Sequence, residues 1–447
     1  MPLAEGNGCD DIVNAQLKSS PVTLPCPGGD LQDARMTAPS SAGVVIVGAG
    51  VHGLSTALHL AELRGSGAGI VVLDKQRVGA GASGISGGIV RNFYLSAAMN
   101  EVVRRSVEIF ELDPGLFGFR QVGYIAVVPE AQADELERIA AQHRDVGYAS
   151  TLVRGAEPVR THMKAVFPDW RARGSTALLH EERSGWADPT ATLTALEGMT
   201  RAAGVEIVEG VAVVGFEMSG DAVSAVETNA GRIECDLVVL APGPWARDFV
   251  QLLELADKIP FRYWQVREGE YGHATAALDP RSPVVHLDAD EPVPGLPDSW
   301  GIYFRPGLGR AAAIGALPLP LEAECELDPY GPSHPELGLT TREFDESVTA
   351  AMAWTLGRYE GGLDLWTCSS YGAQTCFTPD SYPVVDFLRE NVYAVLDSNH
   401  GFKMLALGKL AAAEIHGRPQ PELDAFRLSR FAAGALHPTA ASPYPWT

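Results

Sequence analysis

Gly48, Gly50 and Gly53 follow the apolar run Val44–Val47 at GxGxxG spacing, and Asp74 stands 21 residues beyond the last of them. Each glycine meets one demand of dinucleotide binding. Gly48 permits the tight turn, Gly50 lets backbone approach a pyrophosphate, and Gly53 lets a helix pack close to its strand. A helix opening at this turn points unpaired N–H groups at the pyrophosphate. Asp74 is then placed to accept hydrogen bonds from ribose hydroxyls, and an acid there favours FAD or NAD over NADP. In a chain of 47 glycines the spacing alone is weak. Its specificity comes from the strand before it, the helix after it and the acid that ends the next strand.

Those elements are readable. Val44–Val47 is β-branched throughout, as suits a strand covered on both faces; Leu54 to about Leu63 has helical periodicity; Ile70–Leu73 is a second apolar strand. Lys75–Tyr94 follows as a segment of Gly, Ala and Ser with one strong cation, Arg91, near its end. Backbone without side chains can lie against a flat cofactor, although a mobile loop has the same composition. Near the other end of the chain, the strand Val392–Leu396 leads into SNHGFKMLALGKLAAAEIHG, Ser398–Gly417. Strand, glycine turn and small-residue helix recur there, so a second helix N-terminus is expected to face a ligand.

Between these segments the pattern predicts helices over Ser96–Leu112, Ala131–Val146 and Thr341–Leu356. A further helix runs from Asp188 as N-cap, through Pro189, to Ala203. Strands are expected at Gln121–Val128, Val205–Val208, Cys235–Pro242, Gly301–Arg305 and Arg310–Gly315, with a hairpin of Val211–Phe216 and Val223–Thr228. The acidic, proline-bearing stretches Asp288–Asp298 and Pro318–Pro335 read as loops.

Composition sets outer bounds. The chain has 447 residues, 46% hydrophobic and 20% charged, which describes a globular protein able to bury a large core. A net charge of -22 disfavours nucleic acid and anionic membrane as partners. The six cysteines have neither CxxC nor zinc spacing, so they read as reduced thiols of a cytoplasmic protein without a metal site. The first residues resemble no signal peptide, and no apolar run approaches the length of a membrane span. Met36 is placed to be a natural start.

With GASGxSGGxxR following the Rossmann turn, the chain resembles the D-amino-acid-oxidase-like FAD-dependent oxidoreductases, among them the monomeric sarcosine oxidases and the β subunit of the heterotetrameric ones. The resemblance implies an α/β fold with a Rossmann-type FAD-binding domain and a second, mixed β-sheet substrate domain. The first would comprise 41–120, 184–259 and 377–435, and the second 121–183 and 260–376. A flexible leader over 1–40 and a loose tail over 436–447 complete the expected layout.

The same resemblance assigns residues to FAD. Val51, His52, Lys75, Gly81, Ala82, Ser83, Gly87, Gly88 and Ile89 join the glycine turn and Asp74. Val213 would touch the adenine end through its backbone, and Ala241, Pro242, Gly243 and Trp245 would close over the flavin. Asn399, His400, Gly401, Phe402 and Lys403 would lie beside the flavin pyrimidine. From the residues alone, the Trp245 segment reads equally as a core strand with an aromatic plug.

Arg91 and Lys403 match the family's clamp for a substrate carboxylate, and Tyr303 approximately matches a tyrosine bounding the amine pocket. Arg305 is either a contact for a second acidic group or a solvated strand-end cation. Three departures stand out, one of them Gly88, which replaces a second arginine of the family's loop. Ala373 replaces the cysteine that links covalently to flavin, so non-covalent FAD is expected. Ala313 occupies the slot of the oxygen-activating lysine, which should slow reaction with oxygen unless Arg310 substitutes for it. The implied activity is oxidation of the C–N bond of a carboxylate-bearing secondary, cyclic or N-methyl amino acid to an imine, with O2 or another acceptor reoxidising the flavin. The rivals are a 2-hydroxy-acid dehydrogenase and a non-catalytic FAD-binding assembly subunit.

Overall fold

Val44, Val45 and Ile46 have no exposed surface, because the strand they form lies inside a sheet packed on both faces. In the computed structural model this is β1 (Ser41–Val47), followed by helix α1 (Val51–Arg64) and by β2 (Ile70–Asp74), which pairs in parallel with β1. Helix α1 begins after Gly50 in extended conformation and stops at Gly65, whose φ of +69° suits a glycine C-cap. The structure describes residues 38–255, 258–307, 309–321, 340–397 and 399–444. They fall in one compact unit. Most of the expected leader, Met36 included, lies outside them.

Gly231–Leu240, β1, β2 and Glu206–Glu209 lie side by side in parallel. Gly231–Leu240 is the organising strand, because its two halves do different work. Its first half pairs antiparallel with Ala222–Thr228, which continues the hairpin to Val213–Ser219, while its second half, Val238–Leu240, pairs in parallel with Val392–Leu396. Helix Ala406–Ile415 packs with α1 in one core that includes Leu54, Leu58, Leu407 and Leu410.

A second sheet is mixed. Tyr124–Pro129 runs parallel to Val284–Ala289, and the remaining pairings are antiparallel. Arg262–His273 and Trp366–Phe377 pair along their full length, in a register that sets Val266 opposite Ala373 and Glu268 opposite Tyr371. Helices Ala156–Val166 and Arg342–Thr355 cover this sheet with Val159, Met163, Phe344 and Val348.

Three expectations change. Asp288, expected in a loop, lies within the buried strand Val284–Ala289, where its Oδ1 pairs with Nε2 of His286 at 2.8 Å. Leu319–Leu321, expected in another loop, adds to the edge of Arg262–His273, and the rest of that stretch, 322–335, lies outside the described residues. The tail is anchored rather than loose: Ala441 N donates to Glu135 at 3.1 Å, and Tyr444 is buried. An aromatic side chain supplies apolar area that a Pro/Ala-rich composition conceals.

Candidate functional site

A cavity of about 380 Å³ is lined by both sheets, from Gly48, Asp74 and Ala241 to Val266, Tyr303 and Ala373. At its first end the backbone makes the wall. Gly48 has φ +101°, and a Cβ there would run into the Ala241 carbonyl; a Cβ at Gly53 would strike the Gly48 carbonyl oxygen. Asp74 Oδ2 accepts from Ala49 N and Oδ1 from Gln76 N, each at 2.9 Å, so its carboxylate braces the turn while facing the cavity. Burial pushes the Asp74 carboxyl upward from its ordinary range.

The small-residue segment closes over this turn. Ser83 Oγ accepts from Val51 N at 3.2 Å, serving one of the first N–H groups of α1, which has no side-chain cap of its own. Gly81, Ala82, Gly87 and Ile89 line the cavity, as do Val213, Pro242, Gly243 and Trp245. Lys75 Nζ lies 3.9 Å from the Trp245 ring centroid.

The second helix turn is tied to the first by a buried carboxylate. Asp397 Oδ2 meets His52 Nε2 at 3.0 Å and accepts from His400 N at 2.8 Å, and Oδ1 meets His400 Nδ1 at 2.7 Å. Burial works against the charge, yet the two histidines hold Asp397 well below the usual carboxylate range. Asn399, Gly401, Phe402 and Lys403 of this turn face the cavity. Asn399 Nδ2 is a buried donor without a partner among the described residues. A glycine cradle, an open helix N-terminus, an acid at the strand end and an unmatched donor fit a dinucleotide carrying a ring with acceptor atoms.

At the other end side chains make the wall. Arg91 is 4% exposed; its Nη1 donates to Phe93 O at 2.6 Å and its guanidinium lies 4.7 Å from the Tyr94 ring centroid. Glu181, also buried, accepts from Asn92 N at 2.7 Å and so fixes the backbone beside Arg91. Lys403 Nζ donates to Asn399 O at 3.3 Å, and burial together with the nearby Arg91 charge brings its ammonium down to about 7. Across from these cations, Glu268 Oε2 accepts from the Tyr303 hydroxyl at 3.0 Å, and Tyr371 OH lies 2.7 Å from Oε1. Tyr303 lies on the backbone of Gly315, where any Cβ would overlap its ring. Tyr444 completes the wall, its ring 5.6 Å from Tyr303 and 5.1 Å from His286, and its hydroxyl donating to Gly315 O at 3.1 Å.

Four of the expected cofactor residues stand off the cavity wall. Val51 turns its side chain into the core, Gly53 serves the helix–strand contact, and His400 is buried behind the turn on Asp397. Gly88 has φ +65° and packs on the Ala187 carbonyl, so its need is conformational. Arg305 is also withdrawn: Nε donates to Gly87 O at 2.9 Å and the guanidinium covers the Trp186 ring at 4.2 Å. It is a buried brace, neither solvated nor facing the cavity. Ala313 and the exposed Arg310 do not line the cavity; Ala373 does. Cys376 is buried elsewhere, its thiol pushed by burial to about 12.

Glu268, His286, Tyr124 and Tyr444 line the cavity without having been anticipated. His286 and Asp288 carried a signal, since two polar residues two apart in a strand share one face. Glu268 carried none. Among the described residues no cluster of three or more His, Cys, Asp or Glu could hold a metal, and no helix is long and apolar enough to cross a membrane.

A family model described as DAO, FAD dependent oxidoreductase, matches residues 43–414. Mitochondrial sarcosine dehydrogenase of Mus musculus is 24% identical over 412 residues, covering 88% of this chain, which spans only 42% of that protein. Sarcosine oxidase subunit beta of Rhizobium meliloti is 26% identical over 409 residues, with 88% of this chain and 89% of the relative covered. In fold the chain is similar to L-proline dehydrogenase from P. horikoshii, with a TM-score of 0.74 at 20% identity over 90% of this chain and all of that one.

Proposed function

The chain belongs to the DAO family of FAD-dependent oxidoreductases, and from that membership we propose that it oxidises the C–N bond of a carboxylate-bearing secondary, cyclic or N-methyl amino acid to an imine. One observation carries the substrate class: two cationic side chains, Arg91 and Lys403, face one end of a cavity that is also lined there by Tyr124, Glu268, His286, Tyr303 and Tyr444. A carboxylate in such surroundings is costly without partners, and charge-assisted hydrogen bonds from a guanidinium and an ammonium provide them.

Bound FAD would supply the redox chemistry, as the acceptor of a hydride equivalent from the carbon beside nitrogen. The protein's part is to bind, orient and exclude water. Gly48, Gly50 and the N-terminus of α1 would hold the pyrophosphate, and Asp74 the ribose. Asn399, Phe402 and Lys403 hold the flavin's polar ring through the turn that Asp397 anchors. With Ala373 in place of a linking cysteine, the cofactor is held without a covalent bond. Arg91 and Lys403 fix the carboxylate, which leaves the amine directed toward Tyr303. The acceptor that reoxidises the flavin is O2 or another carrier.

The test is anaerobic bleaching of the flavin absorbance by a panel of N-methyl, cyclic and ordinary D- and L-amino acids, with 2-hydroxy acids alongside. Bleaching by amino acids is expected. Bleaching by 2-hydroxy acids alone, or by nothing in the panel, overturns the proposal, and flavin that stays in the pellet after acid precipitation overturns its non-covalent part.

A further inference from the structure

Glu268 stands out as an acid for which flavin binding and a carboxylate clamp provide no use. It lines the cavity with Lys403 and is close enough for the two charges to act on each other, as are those of Lys403 and Arg91. Its Oε2 lies against Gly87, where an added Cβ would be 3.1 Å away, so the carboxylate borders the small-residue segment. Both its hydrogen bonds come from neutral hydroxyls, those of Tyr303 and Tyr371.

The Tyr371 hydroxyl is the informative part. It lies 2.7 Å from Glu268 Oε1 and 2.7 Å from the carbonyl oxygen of Ile85. A hydroxyl has one proton to donate, and a backbone carbonyl only accepts. When Tyr371 donates to Glu268, the carboxylate is charged. When Tyr371 donates to Ile85, its oxygen faces Oε1 as an acceptor, and Glu268 must carry a proton to complete the contact. The same geometry therefore serves both protonation states without moving a heavy atom.

Resting on the reading of Arg91 and Lys403 as a carboxylate clamp, we propose that Glu268 is the amine-side group of the pocket and takes a proton from the substrate ammonium. The N–H bond breaks with its electron pair staying on nitrogen, an O–H bond forms at Oε1, and Tyr371 turns its hydroxyl to Ile85. Nothing is oxidised or reduced in this step. It leaves the neutral amine, whose lone pair is needed to form the C=N bond. The same carboxylate selects amines over 2-hydroxy acids, because only an ammonium pairs with it.

The test uses the flavin-loaded protein, wild type and Glu268→Gln, with 2-aminoisobutyrate, which has no hydrogen on the carbon beside nitrogen, and its amine-free analogue 2,2-dimethylpropanoate. Binding is read by perturbation of the flavin spectrum and protonation by infrared difference spectroscopy. The expected result is a protonated-carboxyl carbonyl band in wild type with 2-aminoisobutyrate alone. Wild type should prefer that ligand about tenfold, and Glu268→Gln should lose both the band and the preference. Wild-type binding without the band, or an unchanged preference in Glu268→Gln, overturns the proposal while leaving the clamp intact. If neither ligand perturbs wild-type flavin, the clamp reading fails and takes this proposal with it. Tyr371→Phe is the companion variant: as a positioning change it should move the acid limb of the kcat/KM pH profile, and an unmoved limb counts against the hydroxyl switch.

Discussion

The two ends of the cavity are built on different principles. At the nucleotide end, 27 residues from Gly48 to Asp74 supply the turn, the helix N-terminus and the acid, and the critical contacts are made by backbone. At the proposed substrate end, Arg91, Glu268, Tyr303, Tyr371, Lys403 and Tyr444 come from six separate segments, and the contacts are made by side chains. A backbone-built site tolerates few substitutions yet recurs wherever the cofactor is bound. A site assembled from side chains of separate segments can change its chemistry one residue at a time.

The nucleotide-binding turn is most vulnerable at Gly53. A methyl group there meets the Gly48 carbonyl oxygen, and neither backbone can move without displacing α1 from β1. Gly53→Ala should abolish flavin retention, read as the ratio of visible to ultraviolet absorbance after purification. Full retention in this variant would mean that the turn is not the pyrophosphate site. The second effect belongs to the other end. Arg91→Ala should keep its flavin but lose roughly 100-fold in kcat/KM, since removing a partner from a buried charge pair costs on the order of 2–5 kcal/mol. Loss of flavin together with activity would show that the two ends are not independent.

This contrast also explains what could be read in advance. The βαβ unit was legible because strand, helix and glycine turn are local, and each glycine answers a steric demand visible in the spacing. Gly88 misled for the same reason: its φ of +65° and contact with Ala187 require glycine without any ligand. Arg91 and Lys403, 312 residues apart, were linked only through the family resemblance, and the fold brings both to the cavity wall. Glu268 had no signal, because the strand Arg262–His273, RYWQVREGEYGH, mixes charged, aromatic and small residues without a motif. Only its register with Trp366–Phe377, a pairing across about 100 residues of chain, brings Tyr371 to it. Tyr444 was hidden by its neighbours, since a Pro/Ala-rich terminus reads as loose although Tyr444 within it is buried.

A smaller effect sharpens the picture of the clamp. Burial and Arg91 lower the Lys403 ammonium to about 7, so the free clamp carries two charges below that pH and one above it. A group whose proton leaves as pH rises loses its affinity for an anion in the same direction. The Kd of 2,2-dimethylpropanoate should therefore rise about tenfold as pH increases through 7, in line with one charge-assisted hydrogen bond of roughly 1.5–3 kcal/mol partly replaced by solvent. The midpoint in the complex lies higher, because a bound carboxylate favours the charged amine. Lys403→Arg should flatten the profile, as a guanidinium stays charged throughout. A wild-type profile already flat between pH 6 and 9 would place Lys403 outside the clamp.

The smallest expected effect tests whether the tail belongs to the pocket or merely covers it. Tyr444→Phe keeps the ring that packs on Tyr303 and His286 and removes only the hydroxyl that donates to Gly315 O at 3.1 Å. The loss of one neutral hydrogen bond is worth about 0.5–1.5 kcal/mol, and Gly315 is the residue on which Tyr303 rests. If that bond positions Tyr303, the variant should raise KM about threefold with kcat and melting temperature nearly unchanged. A lower melting temperature with unaltered KM would instead make Tyr444 a structural plug, and the substrate wall would then end at Tyr303.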